Sequence, residues 1–322
     1  MSRLKTERIM ENKENKKGLE ASLKSLDTEE WVDILFYRPI GYRWALFFQR
    51  LGVHPNVVTI LSIFIGVAAG VMFFFDDLWL NVIGMLLLVW ANSYDSADGQ
   101  LARLTGQKTQ WGRMLDGFAG DLWFFSIYFF ICLRFTVAHE WEVSQWSIVG
   151  VWLLAAFAGL VCHSKQCALA DYYRNIHLFF LKGKDGSELD NYCQQRAIFH
   201  NTPWKHHFWW KLWLFFYGNY THSQESMTPQ FQQLMGAVKE KYGDEIPQGF
   251  RDEFRKWSKP LMKYANILTF NTRSFALFAS LFIGIPWLYF LFEVTVMNGL
   301  FFYMRSRHEA LSKHLYNRLM KY

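Results

Sequence analysis

Long apolar runs without charge constrain the fold of this chain more than any other feature of its sequence. A helix that crosses the ~30 Å hydrocarbon core of a bilayer needs about 20 predominantly apolar residues. Four runs approach or reach that length, and only the third of them holds charged residues: 57–75, 78–94, 114–133 and 146–162. These runs predict transmembrane helices, because an amphipathic helix of a soluble domain would carry polar residues on its exposed face.

The C-terminal part of the chain carries a further apolar stretch, residues 264–307. Its length exceeds that of one span, and Gly284 and Pro286 interrupt it, so it predicts two helices. Aromatic residues make up 19% of the chain, as in membrane proteins whose Trp and Tyr residues line both interfaces. The sequence therefore predicts an all-α, polytopic membrane protein with six transmembrane helices.

The segment before the first run predicts a helix that lies in the plane of the membrane surface. Asp27 or Thr28 can cap this helix, and apolar residues recur at helical spacing from Trp31 onwards while Arg43 stays on the polar face. A core helix of a soluble domain is the alternative. We assign residues 25–55 to this N-terminal interfacial amphipathic helix. Residues 1–24 are charged and polar, which predicts a disordered cytoplasmic N-terminus.

The placement of basic residues predicts the topology of the spans. Lys108 and Arg113 flank the loop between the second and third runs, whereas Asp76 and Glu140 mark the loops at the opposite ends. Cytoplasmic loops carry the excess of lysine and arginine in membrane proteins. Both termini and the loop between the second and third runs are therefore predicted to face the cytoplasm.

The six spans divide the chain into segments. Spans 1–4 fall in residues 56–175 and spans 5–6 in residues 264–307. A polar cytoplasmic insertion is predicted between them at 176–263, and a cytoplasmic tail at 308–322. The net charge of +6 fits basic cytoplasmic loops beside anionic lipid head groups, and no nucleic-acid-binding motif indicates a nucleic-acid partner.

Three carboxylates and one arginine follow the second apolar run. Asp95 and Asp98 are three residues apart and share a helical face, Arg103 follows about one turn later, and Asp116 lies beyond a short loop. Carboxylate oxygens on a rigid scaffold favour Mg²⁺ or Mn²⁺. A structural ion-pair network is the alternative, but the carboxylates outnumber the nearby cations and would repel one another unless a metal ion joined them.

The order of these residues resembles the signature of the CDP-alcohol phosphotransferases, which are integral membrane enzymes of phospholipid synthesis. That signature reads D-x-x-D-G-x-x-A-R, about eight residues, and then G-x-x-x-D-x-x-x-D. The chain matches it at Asp95, Asp98, Gly99, Ala102, Arg103, Gly112 and Asp116. The resemblance implies that the Asp residues hold a pair of Mg²⁺ or Mn²⁺ ions. It implies, separately, that the protein is a homodimer. It also implies that the CDP-alcohol is bound by Gly99, Ala102, Arg103 and Gly112.

The last position of the signature is not matched. It requires Asp at position 120, where the chain has Gly120, and the carboxylate comes one residue later at Asp121. In a regular helix Asp121 points about 140° away from Asp116. We expect a widened π-type turn, eased by Gly117 and Gly120, to return Asp121 to the metal site as a fourth ligand. In the resembled family the last Asp is the proposed general base, so Asp116 and Asp121 are the predicted catalytic residues; loss or replacement of the base is the alternative.

Basic residues near the later spans predict the acceptor site. Lys165 follows the fourth run, Arg273 lies inside the fifth span and Arg305 ends the sixth. The branch of the resembled family that joins inositol phosphate to CDP-diacylglycerol carries basic residues in roughly these places. These three residues are therefore predicted to bind a phosphorylated acceptor, although Arg305 also fits the ordinary basic flanking of a span.

The resemblance implies transfer of a phosphatidyl group from CDP-diacylglycerol to a hydroxyl of a polar alcohol such as inositol phosphate, with release of CMP. One alternative is transfer of a CDP-linked head group to a lipid alcohol such as diacylglycerol or ceramide. Two others are a divalent-cation transporter that uses the same carboxylates and an inactive membrane scaffold. The charges gather at one end of the spans rather than at their middle, which disfavours the transporter.

Overall fold

The chain folds into helices throughout its described residues. The computed structural model describes residues 18–19, 21–138, 144–183, 187–243 and 245–321. Every regular element within these ranges is a helix, so the predicted all-α class is confirmed. The helices form two compact units, residues 1–152 and 153–322. The predicted disordered N-terminus lies mostly outside the described residues.

The first unit is built from long helices whose ends follow from the local sequence. A π-helical turn, Asp33–Tyr37, leads directly into the first helix. The Asp77 carboxylate caps the third helix by accepting a hydrogen bond from the Leu80 N–H at 2.9 Å. The helices are α1 (Arg38–Arg50), α2 (Pro55–Met72), α3 (Leu78–Thr105) and α4 (Gln110–Ala138).

Small residues on α2 let α4 approach it closely. Gly66 lies directly against the Trp123 side chain, and Gly70 lies against Ser126. The Ser126 hydroxyl also donates to the Val67 carbonyl at 3.0 Å. Small residues four apart join membrane helices in this way, because close backbone approach increases van der Waals contact.

The second unit starts within a long helix that has a π-helical segment, Phe157–His163, at its centre. The final helix is likewise preceded by a π-helical turn, Glu293–Met297. The helices on either side of the first π segment are α5 (Gln145–Ala156) and α6 (Ser164–Lys182). The others are α7 (Tyr192–Asn201), α8 (Trp204–Ser226), α9 (Pro229–Tyr242), α10 (Gln248–Ser258), α11 (Met262–Ile267), α12 (Phe270–Phe282), α13 (Leu288–Phe292) and α14 (Asn298–Leu319).

Residues 176–263, predicted as a polar insertion, supply much of the core of the second unit. Helices α9 and α10 pack with α6, α11 and α14 around buried apolar side chains that include Phe180, Phe231 and Phe254. The Phe180 and Phe254 rings stack with their centroids 3.9 Å apart. Helices α9 and α10 can be rich in polar residues and still build a core because they are amphipathic, with one face in the core and the other exposed.

Three helices of the described chain are long and apolar enough to cross a membrane. They coincide with the first, third and fourth predicted spans: Pro55–Met72, Gln110–Ala138 and Gln145–Lys182. In the region of the predicted fifth and sixth spans the helices are interrupted at Gly284, which has a φ of 78°. The structure therefore fits a multi-pass membrane protein, and the count of six spans stays a prediction.

Candidate metal centre

Three carboxylates meet where α3 and α4 join. Helix α3 ends at Gly106, whose φ of 70° turns the chain, and α4 begins four residues later. Asp95 and Asp98 lie on the last turns of α3, and Asp116 lies near the start of α4. One oxygen atom of each carboxylate lies within 4.8 Å of an oxygen atom of the other two. The turn between the two helices thus brings together side chains that are 21 residues apart in the sequence.

The three carboxylates differ in burial. Asp98 is 4% exposed, Asp95 is half-buried and Asp116 is exposed. The Thr59 hydroxyl of α2 donates a hydrogen bond to Oδ2 of Asp98 at 2.5 Å and is itself buried. Thr59 therefore fixes the orientation of the most buried carboxylate. Sequence reasoning missed Thr59, because a single threonine inside an apolar run has no distinctive pattern.

The motif positions on α3 lie beside the N-terminal segment. The Arg103 Nε donates a hydrogen bond to the Ser22 carbonyl. Gly99 lies next to the Arg103 guanidinium, since a Cβ atom added at Gly99 would be 3.4 Å from Nη1. Ala102 is half-buried on the same helix. These small residues keep side-chain bulk away from the arginine, which leaves room for a ligand.

Gly112, the motif glycine of α4, lies against the start of α2. A Cβ atom added at Gly112 would be 3.1 Å from the Asn56 side-chain oxygen and 3.1 Å from the Thr109 hydroxyl. The Thr109 hydroxyl accepts a hydrogen bond from the Gly112 N–H at 2.9 Å, which caps the first turn of α4. A larger residue at position 112 would displace these neighbours.

Arg38 approaches the motif from α1. Its Nη1 donates to the Ser96 hydroxyl at 3.2 Å, and its Nε donates to the Glu29 carboxylate at 2.8 Å. Gly41 permits this approach, because a Cβ atom there would be 2.8 Å from the Ser96 hydroxyl. Helix α1 is therefore docked on the turn of α3 that carries Asp95.

The Arg38 guanidinium is held in place by two hydrogen bonds, and no described residue is bonded to its other N–H groups. Burial alone would lower the pKa of Arg38, but the charge of Glu29 and its hydrogen bond raise that pKa above its ordinary value. Two of the five guanidinium N–H groups are used by Glu29 and Ser96. Arg38 also interacts electrostatically with Asp33 and Asp95. The remaining N–H groups suit a phosphate.

The widened turn predicted between Gly117 and Asp121 is wrong. Helix α4 is a regular α-helix from Gln110 to Ala138, and open space surrounds Gly117 and Gly120, so nothing crowds the regular backbone there. Asp121 accordingly points about 140° away from Asp116. Among the described residues, it does not join the group formed by the three motif carboxylates.

Two of the predicted acceptor residues are accessible in the second unit. Lys165 is exposed at the start of α6. Arg305, on α14, is half-buried, and its Nε donates to the Met227 carbonyl at 2.7 Å. Their role in acceptor binding stays a prediction.

Arg273, the third predicted acceptor residue, is fully buried with 0% exposure. Its guanidinium forms an ion pair with Glu293, which is also 0% exposed. It further donates to His163 Nδ1 at 2.9 Å and to Gln166 Oε1 at 2.7 Å. Two more hydrogen bonds, at 3.1 and 3.3 Å, go to the Leu268 carbonyl. All five N–H donors are thus used inside the protein, which is not the arrangement of a residue that binds an acceptor phosphate.

A divalent metal ion fits the carboxylate group on α3 and α4. Oxygen ligands of one Mg²⁺ ion lie up to about 4 Å apart, twice the metal–oxygen bond length, and the Asp oxygens are close to that separation. Three carboxylates at this distance repel one another unless a cation or protons lower their charge. The chemistry of the donors and their spacing are both compatible with a divalent metal ion.

The described fold is helical, with three helices able to span a membrane and one group of carboxylates that could hold a metal ion, and comparison with known proteins finds a family that resembles part of the chain. Residues 52–175 match the model of the CDP-alcohol phosphatidyltransferase family. This range contains the three clustered carboxylates and Thr59. Residues 52–175 are therefore similar to the CDP-alcohol phosphatidyltransferase domain, whose family consists of enzymes that transfer substituted phosphate groups.

One curated relative has a more specific name than the family. The chain is 33% identical over 105 residues to an archaetidylinositol phosphate synthase of Pyrococcus horikoshii. The aligned residues are 33% of this chain and 53% of the relative, so the chain spans about half the length of the curated relative it matches. No solved structure matches the chain.

Proposed function

We propose that this chain is a metal-dependent CDP-alcohol phosphotransferase of phospholipid synthesis. It would transfer a phosphatidyl group from CDP-diacylglycerol to a hydroxyl of a polar, phosphorylated alcohol such as inositol phosphate and release CMP. The observation that carries the proposal is the group formed by Asp95, Asp98 and Asp116 inside the residues that match the family model. The identity of the metal, Mg²⁺ or Mn²⁺, and a count of two ions are part of the proposal.

The residues of the site divide the work of the reaction. Asp95, Asp98 and Asp116 would hold the metal, which polarises the phosphoryl oxygens and stabilises the leaving CMP. Thr59 orients Asp98 through its hydrogen bond. Arg103 places a positive charge beside the small residues of the motif, where it binds the diphosphate of the donor.

Asp121 is the proposed general base. It is the only carboxylate on α3 and α4 outside the three-carboxylate group, and it is exposed. A base must reach the acceptor hydroxyl directly or through one water molecule, and it does not need to bind the metal. Asp121 would take the proton of that hydroxyl as the oxygen attacks the phosphorus.

The acceptor is proposed from the relative and from the basic residues of the second unit. The relative is named an archaetidylinositol phosphate synthase, which favours inositol phosphate among polar alcohols. Lys165 and Arg305 are the proposed ligands of the acceptor phosphate. Arg273 is instead proposed to stabilise the fold, since its donors are all used internally.

The membrane arrangement is proposed from the sequence together with the helices. We propose six spans, a cytoplasmic active site, cytoplasmic termini and a homodimer. Helix α1 would lie in the interface as an amphipathic helix, because Ala45 and Phe48 are buried against α2 and α3 while Phe47 is 48% exposed.

CMP release by the purified protein in detergent tests this proposal. The donors are CDP-diacylglycerol, CDP-choline and CDP-ethanolamine, each with inositol phosphate, inositol or diacylglycerol as acceptor, with and without Mg²⁺. We expect Mg²⁺-dependent CMP release only with CDP-diacylglycerol and inositol phosphate. Release from CDP-choline with diacylglycerol would support head-group transfer to a lipid instead. If Mg²⁺ raises the melting temperature but no combination of donor and acceptor leads to CMP release, the result would support an inactive membrane scaffold.

A further inference from the structure

Large aromatic side chains are exposed along the first half of α8, which packs with α7. We call residues 192–216 of these two helices the aromatic hairpin. On α8, Trp209 is 71% exposed, Phe216 58% and Phe208 53%. Trp204 and Phe215 are about half exposed as well. Soluble surfaces rarely expose contiguous apolar patches of this kind unless something covers them.

Basic and polar residues alternate with these aromatic residues. Arg196, Lys205 and His206 are exposed on the same hairpin. No Asp or Glu occurs between residues 192 and 216. Trp and Phe interleaved with Lys and Arg, without acidic residues, is a composition found where a chain contacts lipid head groups. A positive surface of this kind attracts anionic lipids.

Lys211 braces the hairpin from inside. It is 7% exposed, and its Nζ donates to the Thr202 carbonyl at 2.7 Å. The same ammonium lies 4.6 Å from the centroid of the Phe199 ring and 5.0 Å from that of Trp204, within the range of cation–π attraction. The brace ties α7 to α8, so the exposed aromatic side chains are presented by an ordered element.

The second half of α8 is anchored on the long helix that is apolar enough to span a membrane. Gln224 Nε2 donates to the Ala168 carbonyl at 2.9 Å, and the Tyr220 hydroxyl donates to Asp171 at 3.3 Å. Ala168 lies six residues beyond the apolar run 146–162, which is about 9 Å along a helix. That distance places the anchor at the head-group region next to the hydrocarbon core.

We propose that the aromatic hairpin is a second membrane-binding element, which inserts Trp209, Phe208 and Phe216 between the lipid head groups of the bilayer that the spans cross. This assignment is independent of the proposed transferase activity. Residues 192–216 would then contact the membrane surface instead of facing water, and this contact would hold the second unit close to the membrane.

Spin labels at single cysteines in lipid nanodiscs test the proposal. Cys167 and Cys193 are first changed to Ser, since Cys132 and Cys162 are buried. The reporters are Phe208→Cys, Trp209→Cys, Phe216→Cys and, as a polar position of the same stretch, His206→Cys. Phe64→Cys on α2, 70% exposed inside a candidate span, is the lipid reference. Glu240→Cys, exposed on α9, is the water reference.

The measured quantity is the accessibility of each label to oxygen and to a water-soluble nickel complex. We expect labels at positions 208, 209 and 216 to favour oxygen, at a depth of about 5–10 Å into the boundary between head groups and acyl chains, shallower than at position 64. The label at position 206 should lie nearer the head groups. Labels on the hairpin that respond to nickel as at position 240 would overturn the proposal. Dipolar broadening that disappears on dilution with unlabelled protein would overturn it too, since the hairpin would then contact a second copy of the chain.

Discussion

Two polar clusters inside apolar helices differ in how their charges are balanced. Asp95, Asp98 and Asp116 concentrate negative charge on the first unit, with Asp116 exposed. Arg273 and Glu293 in the second unit form a buried ion pair of zero net charge whose hydrogen bonds stay inside the protein. Tyr289 completes this pair by donating to the second Glu293 oxygen at 2.6 Å.

The difference separates a ligand site from a structural one. A cluster in which carboxylates outnumber the nearby cations is stabilised when a metal ion or protons join it. A cluster whose donors and acceptors are all paired gains nothing from a ligand. Removing one of the paired residues leaves the other charge buried and unpaired in a low-dielectric interior. Substitutions in the first cluster should therefore change activity and metal binding, and those in the second should change stability.

The largest effect is expected at Asp98. Asp98→Asn removes one ligand charge and should lower kcat/KM by about 10²–10³-fold, the range for a lost electrostatic contact in a catalytic site. The melting temperature without metal should stay the same or rise, because like-charge repulsion is reduced. The measurement is CMP release together with thermal unfolding, each with and without Mg²⁺.

Asp77→Asn is the matched control for Asp98→Asn. It makes the same change of charge at the opposite end of α3, and Asn caps a helix about as well as Asp. It should leave activity and the Mg²⁺-induced rise in melting temperature unchanged. Near-normal turnover of Asp98→Asn at saturating Mg²⁺ would remove Asp98 from the metal site.

Arg273→Met should have the opposite profile. It leaves Glu293 buried without a counter-charge, which costs about 3–5 kcal/mol of unfolding free energy. The double variant with Glu293→Gln should recover much of that loss, because no buried charge is left unpaired. Thermal and denaturant unfolding in detergent measure both variants.

Lys165→Ala sharpens the contrast with Arg273→Met. Lys165 is exposed, so this change should leave stability unaltered and raise the KM for the acceptor more than that for the CDP-alcohol. An Arg273→Met protein of normal stability with a raised acceptor KM would return Arg273 to the acceptor site and break the comparison.

The fold class and the three-carboxylate group were predictable because they depend on local rules. Apolar length marks membrane helices, and the i, i+3 spacing places Asp95 and Asp98 on one face. The aromatic hairpin was assigned to a polar segment, because average composition hides an exposed aromatic face. The charged residues of 176–263 predict a water-exposed segment, although several of its helices contribute side chains to a hydrophobic core.

The partners of individual side chains were not predictable from the sequence. Arg273 in an apolar run resembles a ligand-binding arginine until Glu293, 20 residues later, is seen to pair with it. Arg38 and Thr59 reach the Asp site from other helices, over separations of 58 and 39 residues to their partners. Such contacts are set by packing and leave no spacing signal in the chain.

Asp121 provides the next test, because it lies outside the carboxylate group. Asp121→Asn should lower kcat by about 10²-fold if Asp121 is the general base, while CDP-alcohol binding stays intact. Gly120→Asp in the same protein restores a carboxylate on the face of Asp116, where open space surrounds the backbone. Rescue of kcat by Gly120→Asp would show that the face of the helix decides the base; a fully active Asp121→Asn enzyme would move the base to another residue.

The smallest effect is expected at Arg38. Arg38→Gln removes the guanidinium edge near Asp95 and should raise the KM for CDP-alcohol about tenfold, the value of a hydrogen bond to a charged group, with less change in kcat. Arg43→Gln is the matched control, since Arg43 is exposed on the same helix and should leave both constants unchanged. Glu29→Gln removes the negatively charged partner of Arg38, whereas the positive charge of Arg38 remains. It should therefore alter the KM for CDP-alcohol less than Arg38→Gln does. If Glu29→Gln and Arg38→Gln lower stability equally and neither changes the KM for CDP-alcohol, then Arg38 only docks α1 on α3. In that case the first unit, like the second, would contain a purely structural arginine beside its charged residues.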